Sequence, residues 1–336
     1  MNNSPGYLRP LRYAIQAAFL AVTIFAGFRF YQFVQHFINP ARPFVERPSS
    51  VDGFLPIGGL MAFKFFLFTG MVEPTHPAGF VLFTAILTVS LFVKKGFCSW
   101  ICPVGTISQY AWMAGEKALG RNFRIVKPAD WALRSLKYLL MAAFLAVIGI
   151  AMAPNMLVLF FITDYYKIAD VRMLKLFTDM SVLTFWVLVG LVLLSVLYKN
   201  FWCRYLCPYG ALLGLLSRLS PFKVRRHEEN CSHCRACSQH CPSLIDVEKK
   251  ELIKSEECFG CLTCVSRCPS AGALELSYRI GKKRGALRPY LFPAVLVVLF
   301  YLVIAIGMAT GNWKSKIPSE EYQRLVPEVE KEYSLR

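Results

Sequence analysis

Residues 231–242 read CSHCRACSQHCP, and residues 258–269 read CFGCLTCVSRCP. Each run spaces four cysteines as Cys-x2-Cys-x2-Cys-x3-Cys and ends on a proline. The first holds Cys231, Cys234, Cys237 and Cys241 before Pro242; the second holds Cys258, Cys261, Cys264 and Cys268 before Pro269. In such runs three close cysteines wrap one iron–sulfur cubane, and the fourth ligates the other cluster. The expected sets are therefore Cys231, Cys234, Cys237 with Cys268, and Cys258, Cys261, Cys264 with Cys241. Structural zinc asks for a Cys-x2-Cys pair and a distant second pair. Two identical four-cysteine runs ending in Cys-Pro point instead to two [4Fe-4S] clusters. His233 and His240 lie inside the runs and are read as surface residues, not ligands.

Four of the twelve cysteines remain. Residues 97–105 read FCSWICPVG and residues 201–210 read FWCRYLCPYG, giving Cys98/Cys102 and Cys203/Cys207, each pair spaced Cys-x3-Cys-Pro. The two motifs stand 105 residues apart, and at the same offset Ser90, Lys94, Pro103 and Gly105 meet Ser195, Lys199, Pro208 and Gly210. This reads as an internal repeat of span, outer segment, span and cysteine motif. Repeats of the same membrane orientation pack about an axis along the membrane normal, which would bring the motifs face to face. A four-residue spacing puts both thiols of a pair on one helical face. Four thiolates at one spot make a cubane or metal site, so a third cluster on Cys98, Cys102, Cys203 and Cys207 is the working hypothesis. Two alternatives stay open: a pair of redox-active dithiols, or a site that handles a metal such as copper.

The rest of the chain is greasy and basic. Of its 336 residues 55% are hydrophobic and only 18% charged, yet the formal net charge is +17. Soluble domains run at roughly 45–50% apolar and 25% charged. Nucleic-acid binding is the usual partner of such a charge, but the apolar runs are long enough for lipid and no basic stripe with interleaved aromatics occurs. Five candidate spans follow from the need for about 20 apolar residues per crossing: 11–37, 79–93, 136–152, 181–198 and 290–308. The first is too long and lacks the small-residue cleavage site of a signal peptide. The stretch Pro56–Gly70 reads as an interfacial or re-entrant helix, with a sixth span as the competing view. On this arrangement one side carries 26 Lys and Arg and the other 11, with Arg29 inside the first span. The positive-inside rule puts the richer side, with all twelve cysteines, in the cytoplasm of a bacterial inner membrane, where thiolates stay available for metal.

The expected fold is thus an α-helical membrane protein with about five transmembrane helices, an internal repeat, and a small α+β bacterial-type dicluster ferredoxin domain. Residues 1–220 form the membrane domain, 221–280 the ferredoxin domain, 281–310 the final span and 311–336 an outer polar tail. For the tail, composition favours a solvated extension over a docking arm.

Paired Cys-x3-Cys-Pro motifs on membrane helices, followed by the double ferredoxin run, resemble the NapH-type membrane polyferredoxins over about residues 10–280. The same core is similar to the C-terminal part of NosR-type proteins and to CcoG/FixG-type oxidase assembly proteins. The large outer flavin-binding domain of NosR is absent, and the fifth span and tail depart from the shortest NapH-type layout. The resemblance implies an electron-transfer subunit linking membrane quinol or a donor to a partner oxidoreductase or cytochrome. A CcoG-type resemblance implies the alternative, an assembly or copper-reducing factor that uses the Cys-x3-Cys-Pro pairs. No Walker loop, dinucleotide glycine fingerprint or nucleophile elbow is present, so no catalytic residue is assigned. Polar residues in or near spans are functional candidates; Arg29, His36, Lys64, Glu73 and His76 are the candidates for a quinone site on the outer side.

Overall fold

The computed structural model describes residues 6–280 and 283–334. In chain order the membrane part begins with α1 (Leu8–Ile38), α2 (Pro56–Thr69) and α3 (Pro77–Phe92), then a short α4 (Gly96–Trp100) and α5 (Pro103–Leu119). It continues with α6 (Lys127–Phe144), a π-helical turn (Leu145–Ala151), α7 (Pro154–Phe161), α8 (Asp164–Lys167), α9 (Ala169–Thr178) and α10 (Val182–Leu197). A second π turn (Trp202–Leu206) leads into α11 (Pro208–Ser217). The cysteine-rich module then supplies β1 (Phe222–Arg226), α12 (Ala236–Gln239), α13 (Thr263–Ser266), β2 (Leu274–Ile280) and β3 (Lys283–Leu287), before α14 (Leu291–Ala309) and α15 (Ser319–Ser334).

Among the described residues three helices are long and apolar enough to cross a membrane: α1, α6 with its π turn (Lys127–Ala151), and α14. A fourth crossing arises if α9 and α10, bent by 78° at their junction, count as one broken span. The two remaining expected spans fall short for a geometric reason. The α3 and α10 helices have 16 residues each, about 24 Å at 1.5 Å per residue against a hydrocarbon core of about 30 Å. Their bounds, 77–92 and 182–197, are offset by the same 105 residues as the cysteine motifs. The α2 helix, at 14 residues, is shorter still.

The chain clusters into two compact units. The first gathers Met1–Leu20, Ile86–Met141 and Leu191–Phe300. It holds the module, whose three strands form an antiparallel sheet in the order β1-β2-β3, with Val224 opposite Leu276 and Leu276 opposite Leu287.

The second unit gathers Ala21–Ala85, Ala142–Gly190 and Tyr301–Arg336. Its core joins Phe30, Phe33, Val34 and Phe37 of α1 to Val171 of α9 and to Tyr322, Leu325, Val326 and Val329 of α15. The tail is therefore a packed helix, not a solvated extension. Its apolar residues recur at helical spacing on one face, while Glu332, Glu330 and Glu321 pair with Arg172, Lys175 and Lys167. In the same unit Lys64 donates to the carbonyls of Ile148 (2.8 Å), Gly149 (3.1 Å) and Met152. Ile148 and Gly149 belong to the π turn and Met152 follows its end, where the regular ladder is broken and carbonyls need other donors.

Leu325 is 1% exposed, so Leu325→Ala should cost about 2–5 kcal/mol of packing. Limited trypsin digestion reads this directly: cleavage at Arg324 and Lys331 accelerates strongly in the variant, whereas a solvated tail would be cut equally fast in both proteins.

Candidate iron–sulfur centres

The two ferredoxin loops share one backbone pattern. Two residues after the first cysteine of each run, His233 and Gly260 have φ of 53° and 62°; one residue after the second, Arg235 and Leu262 have φ of 61° and 54°. This left-handed conformation curls the chain around a point in space instead of extending it. At Gly260 a side chain would also meet the Phe292 ring at 2.8 Å. The curled loops enclose two cavities. One is lined by Cys231, Cys234, Cys237 and Cys268 together with Arg226, Arg235 and Pro269. The other is lined by Cys258, Cys261, Cys264 and Cys241 with Val224, Ile245 and Ile253. The fourth cysteine of each run thus lies with the first three of the other. His233 and His240 are exposed; His233 faces Glu248 at 3.4 Å.

The Cys-x3-Cys-Pro motifs also share a local form. In each, a short helical turn carries the first cysteine, the second is extended (Cys102 φ −61°, ψ 121°; Cys207 φ −75°, ψ 103°), and a proline opens the next helix. Proline suits that first position because its missing N–H would be unpaired there anyway. The N–H three residues on turns back to the sulfur: Gly210 donates to Cys207 Sγ at 3.2 Å, and the Gly105 amide serves Cys102 likewise. Both helix N-termini therefore aim partial positive charge at cysteine sulfur. Gly105 is sterically required, since a Cβ there would lie 2.1 Å from the Cys98 carbonyl oxygen.

All four of these thiols lie within electrostatic reach of one another. Burial, then the charges of Cys207, Cys102 and Cys98, push the Cys203 thiol well up. Burial likewise raises Cys98 to about 12 and Cys102 to about 11. Neutral thiols of this kind become thiolates when iron binds.

The charges around them are unequal. Lys137 donates to both oxygens of Glu257 at 2.7 Å. Arg204 makes a two-pronged pair with Asp130 at 3.0 and 2.9 Å. Lys95 is 1% exposed, and its Nζ has no hydrogen-bond partner. That ammonium lies 4.9 Å from the Phe259 ring centroid and 3.5 Å from the Cβ position of Gly210. Glu257 is within electrostatic reach of both Lys95 and Lys137, so two buried ammoniums face one carboxylate and the region is short of negative charge. A cubane with four thiolates is an anion, so the donor set and the orphaned Lys95 both suit one.

Sulfur spacing separates a cluster from a single ion. Four sulfurs around one zinc at about 2.3 Å sit roughly 3.8 Å apart. Among the described residues the trio of metal-capable groups with ligand atoms within 4.8 Å of one another is Asp52, His76 and Asp170, not a set of cysteines. That trio already has its cation. Arg47 bridges Asp52 and Asp170, and His76 Nδ1 lies 3.0 Å from Asp52.

Hydrogen bonds tie the Cys-x3-Cys turn to the second ferredoxin loop. Ser99 Oγ donates to the Phe259 carbonyl at 2.8 Å, and Trp100 Nε1 to the Gly260 carbonyl at 3.1 Å. Lys94 Nζ adds a bond to the Ile253 carbonyl at 3.0 Å. Residues between Cys98 and Cys102 thereby hold residues between Cys258 and Cys261.

The five outer candidates fall in different places. Glu73 accepts from the Thr75 and His76 amides at 2.7 Å and from Tyr166 at 3.1 Å, while His76 Nε2 meets the Tyr166 carbonyl at 2.9 Å. Lys64 serves the π turn, His36 Nδ1 lies 2.7 Å from the Arg42 carbonyl, and Arg29 is half-buried farther along α1. Sequence reasoning missed Lys95, Lys137 and Glu257. The Lys94-Lys95 pair closes an apolar run and reads as a span end in contact with water.

Gly105→Ala should displace the Cys98 carbonyl and lower the iron content of the purified protein. Gly210→Ala, where the nearest atoms lie 3.5–3.6 Å away, should leave it near normal. Equal iron in both variants would contradict the tight turn at Gly105.

Comparison with known proteins fits this geometry. A 4Fe-4S binding domain matches residues 75–122 and 178–227, the stretches that carry the two Cys-x3-Cys-Pro motifs. A 4Fe-4S dicluster domain matches residues 223–269. YccM of Escherichia coli, whose name marks it as an electron transport protein, is 39% identical over 95% of this chain and 90% of its own length. The methylamine utilization ferredoxin-type protein MauN of Methylorubrum extorquens is 29% identical over 57% of this chain and 63% of its own. NirI of Paracoccus denitrificans is 28% identical, and the chain spans only 28% of its length. No solved structure matches. The chain belongs to the family of 4Fe-4S ferredoxin-type membrane electron transport proteins that includes YccM, MauN and NirI.

Proposed function

We propose that this protein is a three-centre iron–sulfur relay of the bacterial inner membrane, passing electrons between the quinol pool and a partner oxidoreductase. The observation that carries the third centre is the buried Lys95 ammonium, without a hydrogen-bond partner and within electrostatic reach of Cys98 and Cys203. The doubled match of the 4Fe-4S binding domain and the common 105-residue offset of α3/α10 and the two motifs support a repeat that supplies two thiols from each half.

In this reading Cys231, Cys234, Cys237 and Cys268 hold one cluster, and Cys258, Cys261, Cys264 and Cys241 a second. Cys98, Cys102, Cys203 and Cys207 hold the third. Bound clusters supply one-electron carriage at potentials set by charge, hydrogen bonds and exposure. The protein supplies those settings: amides on Cys102 and Cys207, the ammonium of Lys95, and the bonds from Ser99 and Trp100 that fix the distance between neighbouring sites. The basic excess of the cysteine-bearing side supports a cytoplasmic location for the clusters. Quinol and the partner oxidoreductase come from the NapH-type resemblance of the cysteine motifs, and the name of MauN, a methylamine utilization ferredoxin-type protein, supports a place in a redox system. The copper-handling alternative has less support, because the family models that match the chain are 4Fe-4S binding domains.

Anaerobically purified protein should carry about twelve irons per chain, and Cys98→Ser with Cys203→Ser about eight. About eight in the unaltered protein would remove the third centre. Lys95→Met keeps the volume and removes the charge, so one cluster should shift to a more negative potential with iron content unchanged. An unshifted set of potentials would contradict the electrostatic role of Lys95.

A further inference from the structure

Residues 117–131 read KALGRNFRIVKPADW and join α5 to α6. Gly120, with φ of 71°, ends α5. Lys127 begins α6, a helix long and apolar enough to cross a membrane. The segment between them is fastened to the end of α10. The Phe123 amide donates to the Leu197 carbonyl at 3.0 Å, and Asn122 Nδ2 to the Trp112 and Val196 carbonyls at 2.9 and 3.4 Å. At Gly115 a Cβ would lie 2.0 Å from the Val196 carbonyl oxygen, so α5 and α10 meet backbone to backbone. These bonds make the segment a fixed ledge. One end of it starts a spanning helix, and its middle is bonded to the last residue of another apolar helix.

Two kinds of side chain stand out from this ledge. Leu119, Phe123, Val126 and Trp131 are exposed, the last two at 70% and 73%. Lys117, Arg121, Arg124 and Lys127 are exposed between them. The acids of the stretch are already engaged: Glu116 pairs with Lys199 at 3.5 Å, and Asp130 with Arg204 at 2.9 Å and Arg134 at 3.1 Å. No carboxylate of the stretch is left for the four cations. Arg121 lies instead against the Phe123 ring, 5.5 Å from its centroid.

An exposed apolar patch of this kind marks a surface that meets something other than water. An anionic bilayer answers both sets of side chains at once. Tryptophan and other apolar groups settle at the boundary of headgroups and acyl chains, while Lys and Arg beside a span are drawn to anionic lipid phosphates. An acidic protein would answer the cations, but the start of α6 at Lys127 already places the ledge beside the lipid.

We propose that residues 117–131 form a binding surface for anionic phospholipid headgroups. Lys117, Arg121, Arg124 and Lys127 take the phosphates, and Leu119, Phe123, Val126 and Trp131 enter the acyl boundary.

The test is native mass spectrometry of the full, cluster-loaded protein in detergent, titrated with phosphatidylglycerol or phosphatidylcholine of the same acyl chains. The unaltered protein should retain phosphatidylglycerol the more tightly. Replacing Lys117, Arg121, Arg124 and Lys127 by Gln should weaken that lipid about fivefold per cation and remove the preference. Gln at Lys249, Lys250 and Lys254, exposed cations of the ferredoxin module, should leave the preference intact. Val126→Ser with Trp131→Ser should weaken both lipids alike. Iron content and the visible cluster spectrum, unchanged in every variant, report the fold. Equal retention of the two lipids by the unaltered protein, or a preference that survives the four Gln substitutions, overturns the proposal. Loss of poly-glutamate binding in the four-Gln variant, with phosphatidylglycerol retention unchanged, overturns it in favour of an acidic protein.

Discussion

Two hydrogen bonds organise the redox half of this protein. Ser99 and Trp100, inside one cysteine motif, donate to the carbonyls of Phe259 and Gly260, inside another. Each bond is worth only about 0.5–1.5 kcal/mol net, but their geometric effect is larger than their energy. They fix the membrane-side turn to the ferredoxin loop, so the two sets of thiols cannot drift apart. Gln16 extends the same frame by donating to the Ser99 carbonyl at 2.8 Å and to Gln109 at 3.1 Å.

Charge is the second constraint. Lys137 with Glu257, and Arg204 with Asp130, are closed pairs, and each is stable because its partner is present. Lys95 breaks the pattern. Its ammonium has no hydrogen-bond partner and shares the one Glu257 carboxylate with Lys137, which leaves the region short of negative charge. In the proposed reading, four thiolates around iron provide it. Lys95 therefore connects the fold to the chemistry: it lies 4.9 Å from the Phe259 ring centroid, one residue from a ferredoxin ligand, and within electrostatic reach of Cys98 and Cys203.

Much of the redox architecture was legible because it is written in short-range spacing. A Cys-x2-Cys-x2-Cys-x3-Cys-Pro run folds as a loop whatever surrounds it, and the left-handed residues at His233, Arg235, Gly260 and Leu262 are its local signature. The 105-residue offset likewise survived as equal bounds of α3 and α10. Long-range facts were not legible. Nothing in Lys94-Lys95 tells that one will be bonded to Ile253 and the other left unpaired. Hydropathy does not report where a helix ends, and α3 and α10 stop at 16 residues, so three to four of the five expected spans are supported among the described residues. The tail was misjudged although its signal was present. Tyr322, Leu325, Val326 and Val329 follow the i, i+3, i+4, i+7 pattern of a buried face, but a polar average hid it.

The central claim is that one chain carries three electron-holding centres. Its most direct measurement is spin quantification by electron paramagnetic resonance on the anaerobic full-length protein, reduced stepwise to low potential and integrated over all signals. The account predicts a total approaching three spins per chain, with broadening from neighbouring centres, since each reduced [4Fe-4S] cluster holds one added electron. A plateau at two spins under full reduction, with Cys98, Cys102, Cys203 and Cys207 still free to react with a thiol reagent, would contradict it.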